Sequence, residues 1–288
     1  MDAFVLVTDS GCDLPYEYLR DKGILCVDLT CHFEATGERY LNREIEVGKF
    51  YERIRGGEVA KTSAANPEEF KDVFRPIIEE GKDILYIGLD SALSTTLDSA
   101  RIAAEELYED YPESNILIAD PLCASAGLGL MVYEAQTLKE SGSSIDEVFR
   151  FVLQRGPYLS HRFTVDTLTY LQRGGRVGSA AAFVGNVLNI RPVLHVDDEG
   201  SLVPVGKARG RCKSLEMIID AYEQTAEDIG GGDVFISHAD CPEDADKLAG
   251  MLKDRFGLTV KMITDIGPVI GSHSGPGTLA LFFFAAER

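Results

Sequence analysis

Short apolar runs recur through the first half of the chain: Phe4-Val5-Leu6-Val7, Ile24 to Leu29 (broken only by Asp28), Ile84-Leu85-Tyr86-Ile87 and Ile116-Leu117-Ile118-Ala119. Amphipathic stretches follow them. A strand with one wet face alternates apolar and polar residues, whereas one that is apolar throughout is covered on both faces. The pattern therefore predicts a parallel sheet flanked by helices, with a ligand crevice at the carboxyl ends of its strands. Asp13-Leu14-Pro15 reads as a helix start, with Asp as cap and Pro in the first turn, where its missing N–H costs nothing; Gly23 reads as that helix's end. Asn66-Pro67-Glu68-Glu69 reads as a second start, its acidic first turn suited to the helix dipole.

The pattern changes after about residue 155. Phe163-Thr164-Val165 is followed by a hairpin signal: Pro192 to Val196, a turn at Asp197-Asp198-Glu199-Gly200, then Leu202 to Val205. A long helix through Lys213 to Tyr222, a strand at Val234-Phe235-Ile236, a capped helix from Pro242, a strand from Val260 to Ile263 and a last strand from Leu279 to Phe284 complete the chain. With no linker-like segment, the boundary rests on this change alone. The expected fold is α/β: an open, Rossmann-like parallel-sheet domain over residues 1–158, then an α+β domain with a mixed sheet over residues 159–288.

Length and composition are consistent with this. The 288 residues suit one large domain or two ordinary ones, and 14 Phe with 11 Tyr supply ample core. With a net charge of -19 the chain gains nothing from a polyanion, because nucleic-acid affinity comes mainly from cationic groups on phosphates. The same argument works against a generic anionic-membrane binder. No apolar stretch approaches the roughly 20 residues of a membrane span. Met1-Asp2-Ala3 lacks a basic leader, so a cytoplasmic protein is expected. Six scattered cysteines form no C-x-x-C pair and read as small buried apolar residues.

The candidate chemistry begins with absences. There is no P-loop, no G-x-G-x-x-G after the first strand, no G-x-S-x-G elbow and no H-E-x-x-H, and the histidines at 32, 161, 195, 238 and 273 show no metal spacing. Neither a metal nor a cofactor is expected. What remains is a set of hydroxyls at strand-to-helix turns: Asp9-Ser10, Thr62-Ser63 in a polar loop, Asp90-Ser91 and Ser94-Thr95-Thr96. Each alone is usually a cap; three such loops on one sheet edge could build an anion pocket. Gly271-Ser272-His273-Ser274-Gly275-Pro276-Gly277 reads as a tight loop holding a histidine that could donate to a carboxylate or phosphoryl group. Arg173-Gly-Gly-Arg176 and Lys207-Ala208-Arg209-Gly210-Arg211 are local basic clusters able to receive an anion or an acidic partner, or simply to balance the surface.

Taken in order, Asp9-Ser10-Gly11-Cys12-Asp13-Leu14-Pro15, Thr62-Ser63, Leu93-Ser94-Thr95-Thr96, Leu171 to Arg176, Asn189-Ile190-Arg191-Pro192 and Gly271 to Gly277 resemble the DegV family along nearly the whole chain. The resemblance implies an apolar tunnel between two domains that holds a long-chain fatty acid. It also implies a role as binding subunit of a bacterial fatty acid kinase system, with ATP on a separate subunit, the acyl phosphate passing to phospholipid synthesis, and transient membrane contact. By motif, Thr62, Ser63, Ser94 and His273 would bind the carboxylate, while Arg173 and Arg209 would serve phosphoryl handling or kinase docking. No catalytic residue is implied in this chain.

The chain departs from the family pattern in three places. Thr95 replaces the usual Gly of L-S-G-T and denies that turn a Gly-only conformation. Ala64-Ala65-Asn66 replaces Gln-Pro-Ser. Asp90 stands where serine is usual and would oppose a ligand carboxylate unless it faces away. Two other readings remain open: a hydrolase using Ser94 or Ser91 as nucleophile with His273 as base, and a self-contained small-molecule kinase, weakened by the absent P-loop.

Overall fold

The computed structural model describes residues 4–176 and 189–286; the leader positions Met1-Asp2-Ala3 lie outside them. The first part of the chain runs β1 (Phe4–Asp9), α1 (Tyr16–Asp21), β2 (Leu25–Val27), β3 (Thr30–Phe33), β4 (Arg39–Leu41), α2 (Val47–Arg55) and β5 (Ala60–Ser63). It continues with α3 (Pro67–Glu79), β6 (Asp83–Ile87), α4 (Thr96–Asp110), β7 (Ile116–Ala119), α5 (Ala126–Glu140) and α6 (Ile145–Arg155).

Four of these strands form a sheet in the order β2-β1-β6-β7, every pair parallel. The continuous apolar runs have the expected cause. Leu6, Leu85 and Ile87 pack on one face with α5 and α6, while Val7, Ile84 and Tyr86 pack on the other with α3 and α4. Asn66 caps α3 in a full capping box with Glu69, as its sequence predicts.

Asp13 does not cap α1. The helix follows Pro15 without a side-chain cap, and Asp13, at φ 50°, turns its carboxylate inward. It accepts hydrogen bonds from the Ser125 hydroxyl at 2.6 Å and the Gly267 amide at 2.9 Å. These distant donors satisfy a buried carboxylate that a helix cap would have left facing water.

Residues 30–63 form something the pattern did not announce, an antiparallel sheet in the order β4-β3-β5. Strands of three or four residues are too short to leave a period. With α2 this unit buries Phe33, Phe50 and Tyr51 against Ala239 and Ile266 from the far half of the chain. The Tyr51 hydroxyl donates to the Ile266 carbonyl at 2.8 Å.

The remainder comprises β8 (Leu159–Thr164), α7 (Thr169–Arg173), β9 (Ile190–Val196), β10 (Leu202–Arg209), α8 (Arg211–Thr225), β11 (Phe235–His238), α9 (Pro242–Phe256), β12 (Met262–Asp265), α10 (Pro268–Ser274) and β13 (Leu279–Phe284). The sheet order is β10-β9-β8-β13-β11-β12, with β11 and β12 parallel and the other pairs antiparallel. It is the expected mixed sheet, and its hairpin runs on to Arg209. The helix at Pro242 has proline in its first turn but no side-chain cap, since Cys241 precedes it.

Registers Phe163↔Ala280 and His161↔Phe282 place these four residues on one face. That face meets α5 and the strands of the parallel sheet in one apolar cluster containing Leu6, Leu85, Phe163 and Phe282. Leu279, Leu281 and Phe283 face the other way, into a second cluster with α8 and α9.

The glycine-rich segment is not a loop throughout. Its first part is α10, and His273 lies in that helix's last turn. Pro268 opens the helix and the Ser272 hydroxyl bonds back to the Pro268 carbonyl at 2.7 Å. The turn comes after, at Gly275, with φ 79°, where a Cβ would fall 2.2 Å from the Tyr170 ring. All six cysteines are free; Cys12, Cys31 and Cys123 are buried as expected, whereas Cys212 is exposed. Among the described residues no helix is long and apolar enough to cross a membrane.

Candidate functional site

A cavity of about 280 Å³ lies between the carboxyl ends of the parallel strands and the inner face of the mixed sheet. That is on the order of twenty times the ~10–15 Å³ that admits one water. It is far larger than a packing flaw. Leu89 and Leu93 after β6, Ala124 after β7, and Phe163, Ala280 and Phe282 of the mixed sheet line its apolar part. His161 stands among them with both ring nitrogens engaged: Nδ1 at 3.0 Å from the Leu159 carbonyl, and Nε2 accepting the Ala124 amide at 3.2 Å. Since a carbonyl only accepts, Nδ1 carries the proton.

Thr62, Ser94, Thr95, Arg176 and His273 line the same cavity. Thr62 sits on β5, in a strand and not in the expected polar loop. Strand alternation then separates the pair: Thr62 and Ala64 line the cavity, and Ser63 does not. The Thr62 hydroxyl lies 2.7 Å from His273 Nε2. Gly174 makes room for the imidazole, because a Cβ there would fall 2.1 Å from His273 Nδ1. Burial, and then the nearby Arg176 charge, push the His273 pKa down to about 4, so the ring is neutral at neutral pH.

Arg176 donates from Nε to the Leu93 carbonyl at 3.1 Å and from Nη1 to the Gly174 carbonyl at 2.6 Å. It therefore ties the Leu93-Ser94-Thr95 turn to the Gly174-Gly175 turn. The Ser94 hydroxyl shares a 2.8 Å hydrogen bond with Thr96 and accepts the Thr96 amide at 3.3 Å, so it also holds the start of α4. An outer cleft bounded by Ser91, Gly175 and Ser201 shares Ser94, Thr95 and Arg176 with the cavity. The polar end is thus the end that opens outward.

Two of the sequence departures resolve in this geometry. Thr95 adopts φ -84° and ψ 8°, a backbone that needs no glycine. Asp90 is buried but outside the cavity lining; its carboxylate accepts the Ala92 amide at 2.8 Å and packs against Gly200, where a Cβ would fall 2.5 Å away.

The other hydroxyl loop is structural. Asp9 accepts the Gly11 and Leu89 amides and the Tyr86 hydroxyl, and Ser10 accepts the Leu29 amide. The basic residues sort differently from the motif reading. Arg173 ends α7 exposed, 5.7 Å from the Tyr170 ring centroid, and does not line the cavity; Arg176, three positions on, does. Arg209 is exposed at the end of β10 and also lies outside the lining. Two residues on, Arg211 belongs to the first turn of α8 and bonds to Asp244 and the Gly277 carbonyl. No hydrogen bond joins Ser94 to His273, and Ser91 lies in the outer cleft, so the nucleophile–base contact of a hydrolase is not formed. Residue-type reasoning missed Ser274 and His161; both line the cavity, and only the alternation along β8 hinted at the second.

The family model described as "Uncharacterised protein, DegV family" matches residues 3–286. A DegV domain-containing protein of Clostridium perfringens is 42% identical over 291 residues, covering 100% of this chain and 99% of that one. Among solved structures, a DegV family protein from Thermus thermophilus, described by its fatty acid binding, superposes with TM-score 0.89 at 32% identity, covering 98% of this chain and 99% of its own. A DegV lipid binding protein from Thermotoga maritima does so with TM-score 0.87 at 31% identity, covering 99% of each.

Proposed function

The chain belongs to the DegV family, and from that premise we propose that it binds a long-chain fatty acid in the cavity, tail inward and carboxylate at the Thr62–Ser94–His273 end. The observation that carries this reading is the Thr62–His273 hydrogen bond at the polar end of a mainly apolar space. The two 31–32% identical structures described as lipid- or fatty-acid-binding support it.

The tail supplies the affinity. At about 0.8 kcal/mol per CH₂, a 16-carbon chain offers roughly 11–12 kcal/mol gross, of which lost freedom of motion removes about half or more. The head must avoid the penalty of a buried, unpartnered carboxylate. A neutral His273 that donates from Nε2 to the Thr62 oxygen leaves the Thr62 proton free for the ligand. Hydroxyl donors so arranged bind an anion without a strongly basic protein, in keeping with a net charge of -19.

The residue assignments (Thr62, Ser94, His273), the two-domain division and the cytoplasmic setting belong to the same proposal. So does presentation of the carboxylate to a separate ATP-bearing kinase subunit. In that role Arg176 at the cavity mouth is better placed than Arg173 to meet phosphoryl oxygens, and exposed Arg209 suits docking. Mass spectrometry of lipids co-purified with the protein, followed by calorimetry on delipidated protein, tests the reading. A saturating, stoichiometric fatty acid is expected; absence of any lipid and of any fatty acid binding would overturn it. For kinase presentation, His273→Ala should lower acyl-phosphate formation more than it lowers binding.

A further inference from the structure

Ser274 is the other cavity-lining residue of the last turn of α10. Val269 and Ile270, one turn earlier, line the cavity too, so Ser274 lies on the helix face turned toward it. It is 7% exposed, and its hydroxyl has no hydrogen-bond partner among the described residues. The nearby hydroxyls of Ser272 and Thr278 are satisfied, while the buried His273 Nδ1 shares the lack of a partner. Ser272 bonds to the Pro268 carbonyl at 2.7 Å, and Thr278 donates to the carbonyls of Ser274 and Gly275 at 3.0 and 2.8 Å. Stranding a buried hydroxyl costs about 1–3 kcal/mol, and buried polar groups that remain so call for a reason.

We propose that Ser274 is a further ligand-binding residue whose hydroxyl donates to the carboxylate of the bound acid. This rests on the fatty acid reading above and adds to it a donor that the family motif does not specify. The chemistry has room for one. An ionised carboxylate only accepts, with roughly four lone-pair positions to fill. Thr62 brings one proton, and the Ser94 hydroxyl is already shared with Thr96. The His273 Nδ1 atom lies against Gly174 and not toward a ligand. Ser274, adjacent to His273 in the chain and open to the same space, adds a proton beside that of Thr62. A methylene chain passing the hydroxyl would leave it stranded, and an ester group, with no charge, would draw far less from it.

The test uses delipidated full-length wild type, Ser274→Ala and Ser274→Thr, titrated calorimetrically with oleic acid and with methyl oleate. Ser274→Ala should weaken acid binding by roughly tenfold, the scale of one charge-assisted hydrogen bond, and leave ester binding within about twofold. Ser274→Thr, which keeps the hydroxyl, should bind the acid nearly as wild type does. Unchanged acid binding by Ser274→Ala, or equal loss of acid and ester, would overturn the proposal while leaving the lipid reading intact. Wild type that binds neither compound would instead remove the lipid reading itself.

Discussion

The Thr62 hydroxyl and His273 Nε2 stand 2.7 Å apart although 211 positions separate them in the chain. Thr62 arrives on the edge of a small antiparallel sheet, and His273 at the end of a short helix that this sheet packs against. Tyr51 helps fix the pairing by donating to the Ile266 carbonyl, just before α10. The contact therefore measures whether the two halves of the chain are correctly docked.

Thr62→Val keeps the β-branched shape and removes the hydroxyl. Folding should be unaffected, since the strand and its burial are retained. Fatty acid affinity should fall by about 1.5–3 kcal/mol, the scale for a hydrogen bond to a charged group. Calorimetry checks this, and a Kd within twofold of wild type would remove Thr62 from the head-group site.

Gly174→Ala probes the same contact from behind. The backbone there, φ -76° and ψ -9°, accepts alanine without strain. The new Cβ would fall 2.1 Å from His273 Nδ1 and must displace the ring. Binding should weaken about as much as in Thr62→Val. The double variant should be little worse than either single one, because both break one interaction. Fully additive losses would show that Gly174 acts elsewhere.

Ala280→Leu adds bulk to the apolar wall beside Phe163. In wild type, affinity should rise along a series of saturated acids by up to about 0.8 kcal/mol per CH₂ until the cavity is full. In the variant the rise should stop at a shorter chain, with the shortest acids unaffected. Identical chain-length profiles would mean that the tail runs along another path.

Two buried groups set opposing pH dependences. Burial holds the Asp13 pKa up at about 7, from 3.8. The folded protein thus keeps this proton where the unfolded chain loses it; the stabilising contribution is present below about pH 4 and is lost as pH rises through 7. His273, pushed down to about 4 from 6.5, contributes above pH 6.5 and loses that contribution as pH falls through 4. Asp13→Asn removes only the first effect. The melting temperature of the variant relative to wild type should therefore climb between pH 4 and 7. A difference that stays flat across that range would mean Asp13 is already ionised at its lower end.

Much was legible in the sequence because it is local. Continuous apolar runs at β1, β6 and β7 dictate a sheet covered on both faces, and Asn66 with Glu69 carries its own capping box. The change of pattern after residue 155 marks the passage to the mixed sheet. Motif order alone pointed to Thr62, Ser94 and His273. Tertiary structure decided the rest, since a residue's periodicity does not say which distant group it will meet. Asp13 looked like a helix cap until Ser125 and Gly267 came within reach. Ser63 and Arg173 carry the same chemistry as Thr62 and Arg176, and only the direction of strand and turn turns one of each pair into the cavity and the other away. A side chain's type is written in the chain, but its partners are set by how the two halves of the chain dock.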